Sequence, residues 1–512
     1  MAELSNNRRI AKNTVYLYLR MLITMVVSLY TSRIVLKTLG AEDFGLYNSI
    51  GGIIVLFAFL QNAMSNATQR YISYGIGAGD EERLAKTFSM SMNCHFIIAL
   101  VLLVLSETVG LWFVINHLNI PDGREQAAFW VYQLTIVNFI VGIIRVPYNA
   151  TIISYERMSF YAYMSVIEVL LKLGIVYLLL ISSVDKLISY AFLMLMISIV
   201  CFVVYVIYGT RKFPICHYKY SWDKASFKEL MGFSSWSMLS GGSVLVTQQG
   251  GNILLNIFRG VLANTAFGIA NQVCQAIYGF VSNFQIAFQP QIVKLFASGK
   301  RKEQTELILR TSSFSYYLLL LICVPFFINA EQVIQLWLGT IPEYSVEFCR
   351  WMLIYCLIDA QQGPLWMAIY ATGNIKAYTI WLSVLLLINL PLSWVALYLG
   401  ASPVWVFIIR AVINLVTAIA RTIYVKSFID FPSFKMVKSL IYKLLPTTVC
   451  ALGVSYYICT LMGDGLKPFI YTTVISLLIT CVFVYFIGLY RDERTFVSNI
   501  IKKNFFQIKV TE

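Results

Sequence analysis

The chain is 512 residues long, 59% hydrophobic and only 12% charged, about half the charged fraction of an ordinary soluble domain. That balance excludes a water-soluble globular protein and predicts an all-α polytopic membrane protein. The net charge of +14 does not point to nucleic acid, because the cations recur on alternate loops, the bias of cytoplasmic loops in membrane proteins.

Fourteen apolar segments of bilayer length follow one another at approximately 13–36, 44–66, 87–114, 127–152, 160–181, 186–209, 231–257, 264–288, 308–330, 350–372, 378–399, 403–425, 440–461 and 468–490. About 20 residues of helix cross the roughly 30 Å hydrocarbon core, and a helix satisfies its own backbone polar groups in lipid. No loop between them is large enough for a soluble domain. The polar, basic lead Asn6–Lys12 enters a long first span without a small-residue cleavage site, so no cleavable signal peptide is expected.

Polar residues interrupt particular spans, and each is costly in lipid. The first carries Arg20 in line with Thr24, Ser28 and Thr31 at helical spacing. The second carries Gln61, Asn62, Ser65, Asn66 and Gln69 on one face, and the third carries Glu107. Arg145 and Pro147 lie near the inner end of the fourth. Glu168 and Lys172 of the fifth stand i,i+4 and can pair, whether for the cavity or only for their own helix. The seventh repeats Gln249, Asn252, Asn256 and Arg259 along one face, and the eighth groups Gln272, Gln275, Ser282 and Asn283. Asp359, Gln361 and Gln362 precede Gly363-Pro364 in the tenth, where proline predicts a kink. Arg410 lies within the twelfth. Arg33, Arg70, Arg259 and Arg310 stand near span ends, where their long stems predict snorkelling to the interface.

The alternating loops place Arg83, Lys86, Arg211, Lys212, Lys300 and Arg301 on one side with both termini, which are expected in the cytoplasm. FGLYNSIGG and FLQNAMSNATQRY near 44–71 echo FGIANQV and FVSNFQIAFQPQI near 267–292. The echo predicts two parallel six-helix repeats with a binding cavity at their interface. The expected organisation is an N-half 1–209, a cytoplasmic loop 210–228, a C-half 229–430, two extra helices within 431–490 and a tail 491–512. Spans one, two, seven and eight would line the cavity, making it amide-rich and net positive. Its predicted substrate-binding residues are Arg20, Arg145, Lys172, Arg410, Gln61, Asn62, Gln249, Asn252, Asn256 and Gln272. Asp359, Glu168 and Glu107 are the carboxylates available for ion coupling. The cysteines in and near the spans form no CxxC and no Cys/His ligand set and read as packing thiols; His95, His117 and His217 are scattered. Neither a metal site, a catalytic residue nor a cofactor is expected.

SRIVLKTLGAEDFGLYNSIGGIIVLF at 32–57, SNATQRYISYGIG at 65–77, RVPYNATIISYERMSFYAYMSVIEVLLKL at 145–173 and IYATGNIKAY at 369–378 resemble the polysaccharide (Wzx-type) flippases. These are a branch of the MATE-like MOP superfamily, and the resemblance covers roughly 10–430. It implies two six-helix lobes that open alternately inward and outward in the bacterial inner membrane. It implies as substrate a polyprenyl-pyrophosphate-linked oligosaccharide, a repeat unit of O-antigen, capsule or exopolysaccharide. Glycosyltransferases and a polysaccharide polymerase are the implied partners, beside membrane lipids. The residues suit that cargo: guanidinium groups grip phosphate oxygens bidentately, and amides suit sugar hydroxyls.

The rival of the same fold is an ion-coupled drug or metabolite antiporter, whose cationic substrates an arginine-rich cavity would repel. A membrane-embedded glycosyltransferase would need a larger extracytoplasmic loop than 331–349, so an enzyme is not expected. No GxxxxGK[ST] occurs, so ATP is not the predicted drive. Exporting a dianionic headgroup down 100 mV gains roughly 4–5 kcal/mol.

Overall fold

The computed structural model describes residues 2–55, 58–117, 120, 123–181, 185–339, 341–429, 431–463, 465–490 and 493–495. Helices in chain order are α1 (Ala2–Val55), α2 (Ala58–Ala78), α3 (Glu81–Leu105), α4 (Leu111–His117), α5 (Glu125–Ser154) and α6 (Met158–Ile181). There follow α7 (Lys186–Lys212), α8 (Lys224–Ala297), α9 (Arg301–Ile328), α10 (Ala330–Leu338), α11 (Ser345–Thr372) and α12 (Lys376–Leu387). The last are α13 (Asn389–Tyr398), α14 (Val404–Val425), α15 (Ser433–Ser439), α16 (Leu445–Met462) and α17 (Leu466–Phe483). Aspartates start several of them: Asp80, Asp185 and Asp223 accept from backbone N–H groups in the first turns of α3, α7 and α8.

Two long elements are not single straight helices. α1 breaks at Gly40, whose φ of 84° lies outside the helical region. α8 is a hairpin, because Gln248 Nε2 donates to Asn271 Oδ1 at 3.3 Å. In a straight helix those residues would stand about 35 Å apart. The expected seventh and eighth spans are the two arms of this hairpin.

Nine stretches among the described residues are long and apolar enough to cross a membrane: 82–116, 125–154, 158–179, 186–212, 301–328, 376–398, 404–425, 436–462 and 466–488. They match nine of the fourteen expected spans. The other five fall on α1, the end of α1 with α2, the two arms of α8 and α11, which are helices carrying Arg20, the amides or Asp359. Polar side chains, rather than loss of helix, set the two arms of α8 and α11 apart, while the first two expected spans include side chains outside the described residues.

The kink expected at Pro364 is absorbed within a continuous α11. Proline cannot donate to the carbonyl four residues earlier, which is Ala360. Gln285 Nε2 donates to that oxygen instead, at 3.0 Å. The amide fits only because residue 363 is glycine; a Cβ there would lie 2.2 Å from Gln285 Nε2.

The chain forms two compact units. Unit 1 contains residues 1–244 with 286–301 and 367–383, so three segments of the expected C-half (229–244, 286–301 and 367–383) pack with the N-half. Its core is built on Phe88, Ile152, Val176 and Leu179. Unit 2 contains the remainder, with a core on Leu319, Phe348, Ala360 and Phe407. Within unit 2 the two extra C-terminal helices pack against α9. Tyr316 and Thr448 hydroxyls meet at 2.7 Å, Tyr317 Oη donates to Gly488 O at 3.0 Å, and Thr472 Oγ1 donates to Asn329 Oδ1 at 2.8 Å. Thr472, Ser476 and Thr480 form a buried stripe of small hydroxyl residues. Lipid supplies no hydrophobic drive between helices, so close packing and hydroxyl bonds hold such contacts.

Candidate functional site

In unit 1 the predicted cations do not stand alone. Glu168 accepts from Lys172 Nζ at 2.8 Å and from Arg145 Nη1 at 3.2 Å, so one carboxylate serves two cations on α5 and α6. All three side chains are a quarter to a third exposed and keep one net positive charge between them. The i,i+4 pair was legible in the sequence; the arrival of Arg145 was not. Arg145 also lies over the Tyr205 ring at 5.4 Å. Arg20 projects from α1 over the Tyr161 ring of α6, 4.7 Å from its centroid. The hydroxyls of Thr24 and Thr31 bond to their own helix. Gln61 comes close to α5 at Gly142, while Asn62 is exposed. Glu107 sits in a π-helical turn, Ser106–Gly110, and accepts from Gln133 Nε2 at 3.1 Å. Such turns recur at functional positions.

Unit 2 holds a second mid-span cluster. Tyr278 Oη donates to Asp359 Oδ2 at 2.7 Å. Arg410 lies over the Tyr355 ring at 4.6 Å and meets no carboxylate among the described residues. Asn414 Nδ2 donates to Tyr355 O at 3.0 Å, fixing α14 against α11. On the α8 hairpin, Gln249 and Gln272 are exposed and Asn252 is half-buried. The amides that join the arms are their neighbours, Gln248 and Asn271. The Asn256 and Arg33 side chains lie outside the described residues. Cys274 and Cys356, expected as separate packing thiols, are instead joined in a disulfide between α8 and α11, with Cα atoms 6.9 Å apart. The end-of-span Arg310 borders a cavity of about 250 Å³, also lined by Glu306, Ser312, Gln361, Ser439 and Glu493.

Sequence reading missed a polar assembly in unit 1. Arg70, expected to snorkel, is buried, its guanidinium 4.3 Å from the Tyr71 ring centroid, 5.2 Å from that of Tyr74 and 5.7 Å from that of Phe233. Its Nη2 donates to Ala371 O at 3.1 Å. Three rings and a carbonyl replace the water it would otherwise seek. Nearby, the Glu156 side chain is 2% exposed; it accepts from Lys294 Nζ at 2.8 Å and Gln291 Nε2 at 3.0 Å. Its backbone has φ 59°, uncommon for a non-glycine residue. The only signal available was a charged Glu156-Arg157 turn directly after an apolar span.

Toward the other ends of these helices, Arg124 binds the carboxylates of Asp43 and Asp185 together. Burial opposes the Asp185 charge. Hydrogen bonds from Ile188 N, Arg124 and Leu187 N outweigh it and hold the carboxyl below its ordinary range.

No family model matches the chain. A curated relative, the "Uncharacterized membrane protein EpsK" of Bacillus subtilis (strain 168), is 20% identical over 281 residues, 54% of this chain and 55% of that protein. The chain thus spans about half the length of the relative it matches. Solved structures extend the likeness. An outward-facing multidrug resistance MATE family transporter of the MOP superfamily superposes with a TM-score of 0.71 at 12% identity, covering 82% of this chain and 95% of that one. A MATE in the straight conformation gives 0.71 at 13% identity, covering 85% and 97%. A MOP superfamily transporter from Pyrococcus furiosus, described as having a binding pocket of reverse polarity, gives 0.67 at 14%, covering 84% and 96%. The fold is therefore MATE-like.

Proposed function

We propose that this chain is an alternating-access transporter of the inner membrane with fourteen spans, and that its cargo is a polyprenyl-pyrophosphate-linked oligosaccharide carried to the outer leaflet. One observation carries the choice of an anionic cargo. Cations outnumber carboxylates among the mid-span residues taken together: Arg20, Arg145 and Lys172 against Glu107 and Glu168 in one unit, and Arg410 against Asp359 in the other. Arg410, stacked on Tyr355 and meeting no carboxylate among the described residues, is the group best suited to grip a phosphate oxygen in a dry site. Glu168 leaves a single net positive charge on the Arg145–Lys172 cluster, which gives that cluster a smaller part in phosphate binding than two free cations would have. The exposed amides Asn62, Gln249 and Gln272 suit sugar hydroxyls.

A second reading, an ion-coupled drug or metabolite antiporter, has the more direct support from the solved structures, one of which is described as a multidrug resistance MATE family transporter. The hydrogen-bonded Asp359–Tyr278 pair would then be its coupling carboxylate. Identities of 12–14% carry the fold and not the cargo, so the charge of the mid-span residues weighs more here. The discriminating experiment uses the purified protein in liposomes. One arm follows movement of a lipid-linked pyrophosphate glycan between leaflets; the other follows ion-driven uptake of a cationic dye. Glycan movement without dye uptake supports the first reading, and the converse supports the second.

A further inference from the structure

The polar assembly around Glu156 and Arg70 joins parts of the chain that the expected halves keep apart. Glu156, Arg70, Tyr71 and Tyr74 belong to the N-half. Phe233, Gln291, Lys294 and Ala371 belong to the C-half, yet all of them lie in unit 1. These C-half segments are the ends of the seventh, eighth and tenth spans that the loop charges assign to the cytoplasm. The joint is tight as well as polar. A Cβ on Gly77 would lie 2.5 Å from Lys294 O, and one on Gly373, whose φ is 78°, would lie 2.3 Å from Arg70 Nη2. Beyond it, Leu17, Ile153 and Met158 of the N-half bury Ala287 of the C-half.

We infer that Glu156–Lys294 and Arg70–Ala371 form a double lock that closes the cytoplasmic end of the transport route, and that both must release together before the protein opens inward. The physical reason is the cost of a half-open state. The buried Glu156 carboxylate and the partly buried Lys294 ammonium are satisfied while paired, and they are satisfied again once cytoplasmic water hydrates each. Separated but dry, they are not. The same holds for Arg70, whose guanidinium leaves its carbonyl and Phe233 only at the cost of exposing a charge to apolar surroundings. A joint with two acceptable states and a costly intermediate switches between them rather than deforming gradually. Glu156 holds its carboxylate on this joint from a left-handed backbone position. Non-glycine residues keep that conformation only where their surroundings enforce it, and such positions cluster at switches.

The inference rests on the alternating-access reading but not on the cargo, and its test needs no cargo. Ala287→Cys is introduced into the full-length chain on a cysteine-less background, and its maleimide labelling rate is measured in inside-out membrane vesicles. With the lock intact the buried thiol should react slowly. Lys294→Ala, Glu156→Gln and Arg70→Ala should each raise the rate tenfold or more, and the exchange Glu156→Lys with Lys294→Glu should bring it back toward the starting value. The exchange separates loss of the lock from loss of folding, since a misfolded protein is not rescued. A second measurement bridges a Glu156→Cys/Lys294→Cys pair with a short reducible thiol cross-linker. Transport of whichever cargo the protein moves should stop and should resume on reduction. Unchanged labelling in the single variants, or full transport by the bridged protein, overturns the inference.

Discussion

Unit 1 uses ion pairs near both ends of its helices, and the two differ in what they join and how dry they are. At one end Arg124 holds Asp43 and Asp185, all N-half residues, with side chains 11–30% exposed. At the other end Lys294, 21% exposed, holds Glu156, whose side chain is only 2% exposed, across the two expected halves. The first is a partly wet clamp that fixes loops of one half. The second is a bond between halves with a dry carboxylate, where loss of the lysine strands a charge. Similar chemistry thus yields modest stability in one place and a two-state contact in the other.

The contrast is tested most strongly by breaking the dry end. Lys294→Ala should lower stability by roughly 3 kcal/mol, because Glu156 keeps its burial and loses its cation; thermal unfolding of the purified protein measures it. Gly373→Ala should cost about 2 kcal/mol, from the left-handed backbone and the collision with Arg70. Gln285→Ala in unit 2 should cost about 1–2 kcal/mol by leaving the Ala360 carbonyl without the donor that proline denies it. Arg124→Gln should cost least, about 0.5–1 kcal/mol.

That last variant also carries a pH signature. The Asp185 carboxyl is held below its ordinary value, so the unfolded chain binds its proton more readily than the folded one. Its contribution is complete above the unfolded carboxyl pKa of about 3.9. It is lost as pH falls through the lower folded value. Stability should therefore drop below about pH 4, and Arg124→Gln should flatten that drop. An unchanged slope would mean that the backbone caps from Leu187 and Ile188 alone set the shift.

Much of this architecture was legible in the chain, because span length, charge alternation and i,i+4 spacing are local signals. They give the nine apolar helices, the Glu168–Lys172 pair and the α8 hairpin. The residues that join distant segments were not legible. Arg70 and Ala371 stand 301 positions apart, and Lys294 and Glu156 stand 138 apart. Spacing at a span end assigned Arg70 to the interface, but Tyr71, Tyr74 and Phe233 enclose it, and Phe233 comes from a different helix. Gln285 carried no signal of its own in the sequence, because the Ala360 oxygen that Pro364 leaves open lies 75 positions away. Arg145 read as a free cation because its carboxylate lies on the next helix rather than its own.

The charge of the cargo is the central claim, and Arg20 tests it most directly. Lysine keeps the charge without the planar fork, and glutamine keeps hydrogen bonding without the charge. The measurement is accumulation of undelivered lipid-linked glycan in cells that depend on this protein, normalised to membrane-inserted protein. If Arg20 neutralises a pyrophosphate in transit, Arg20→Lys retains partial delivery and Arg20→Gln retains almost none. Glutamine performing as well as lysine, or better, would make Arg20 a helix-bridging residue held against Tyr161 and would contradict the anionic cargo.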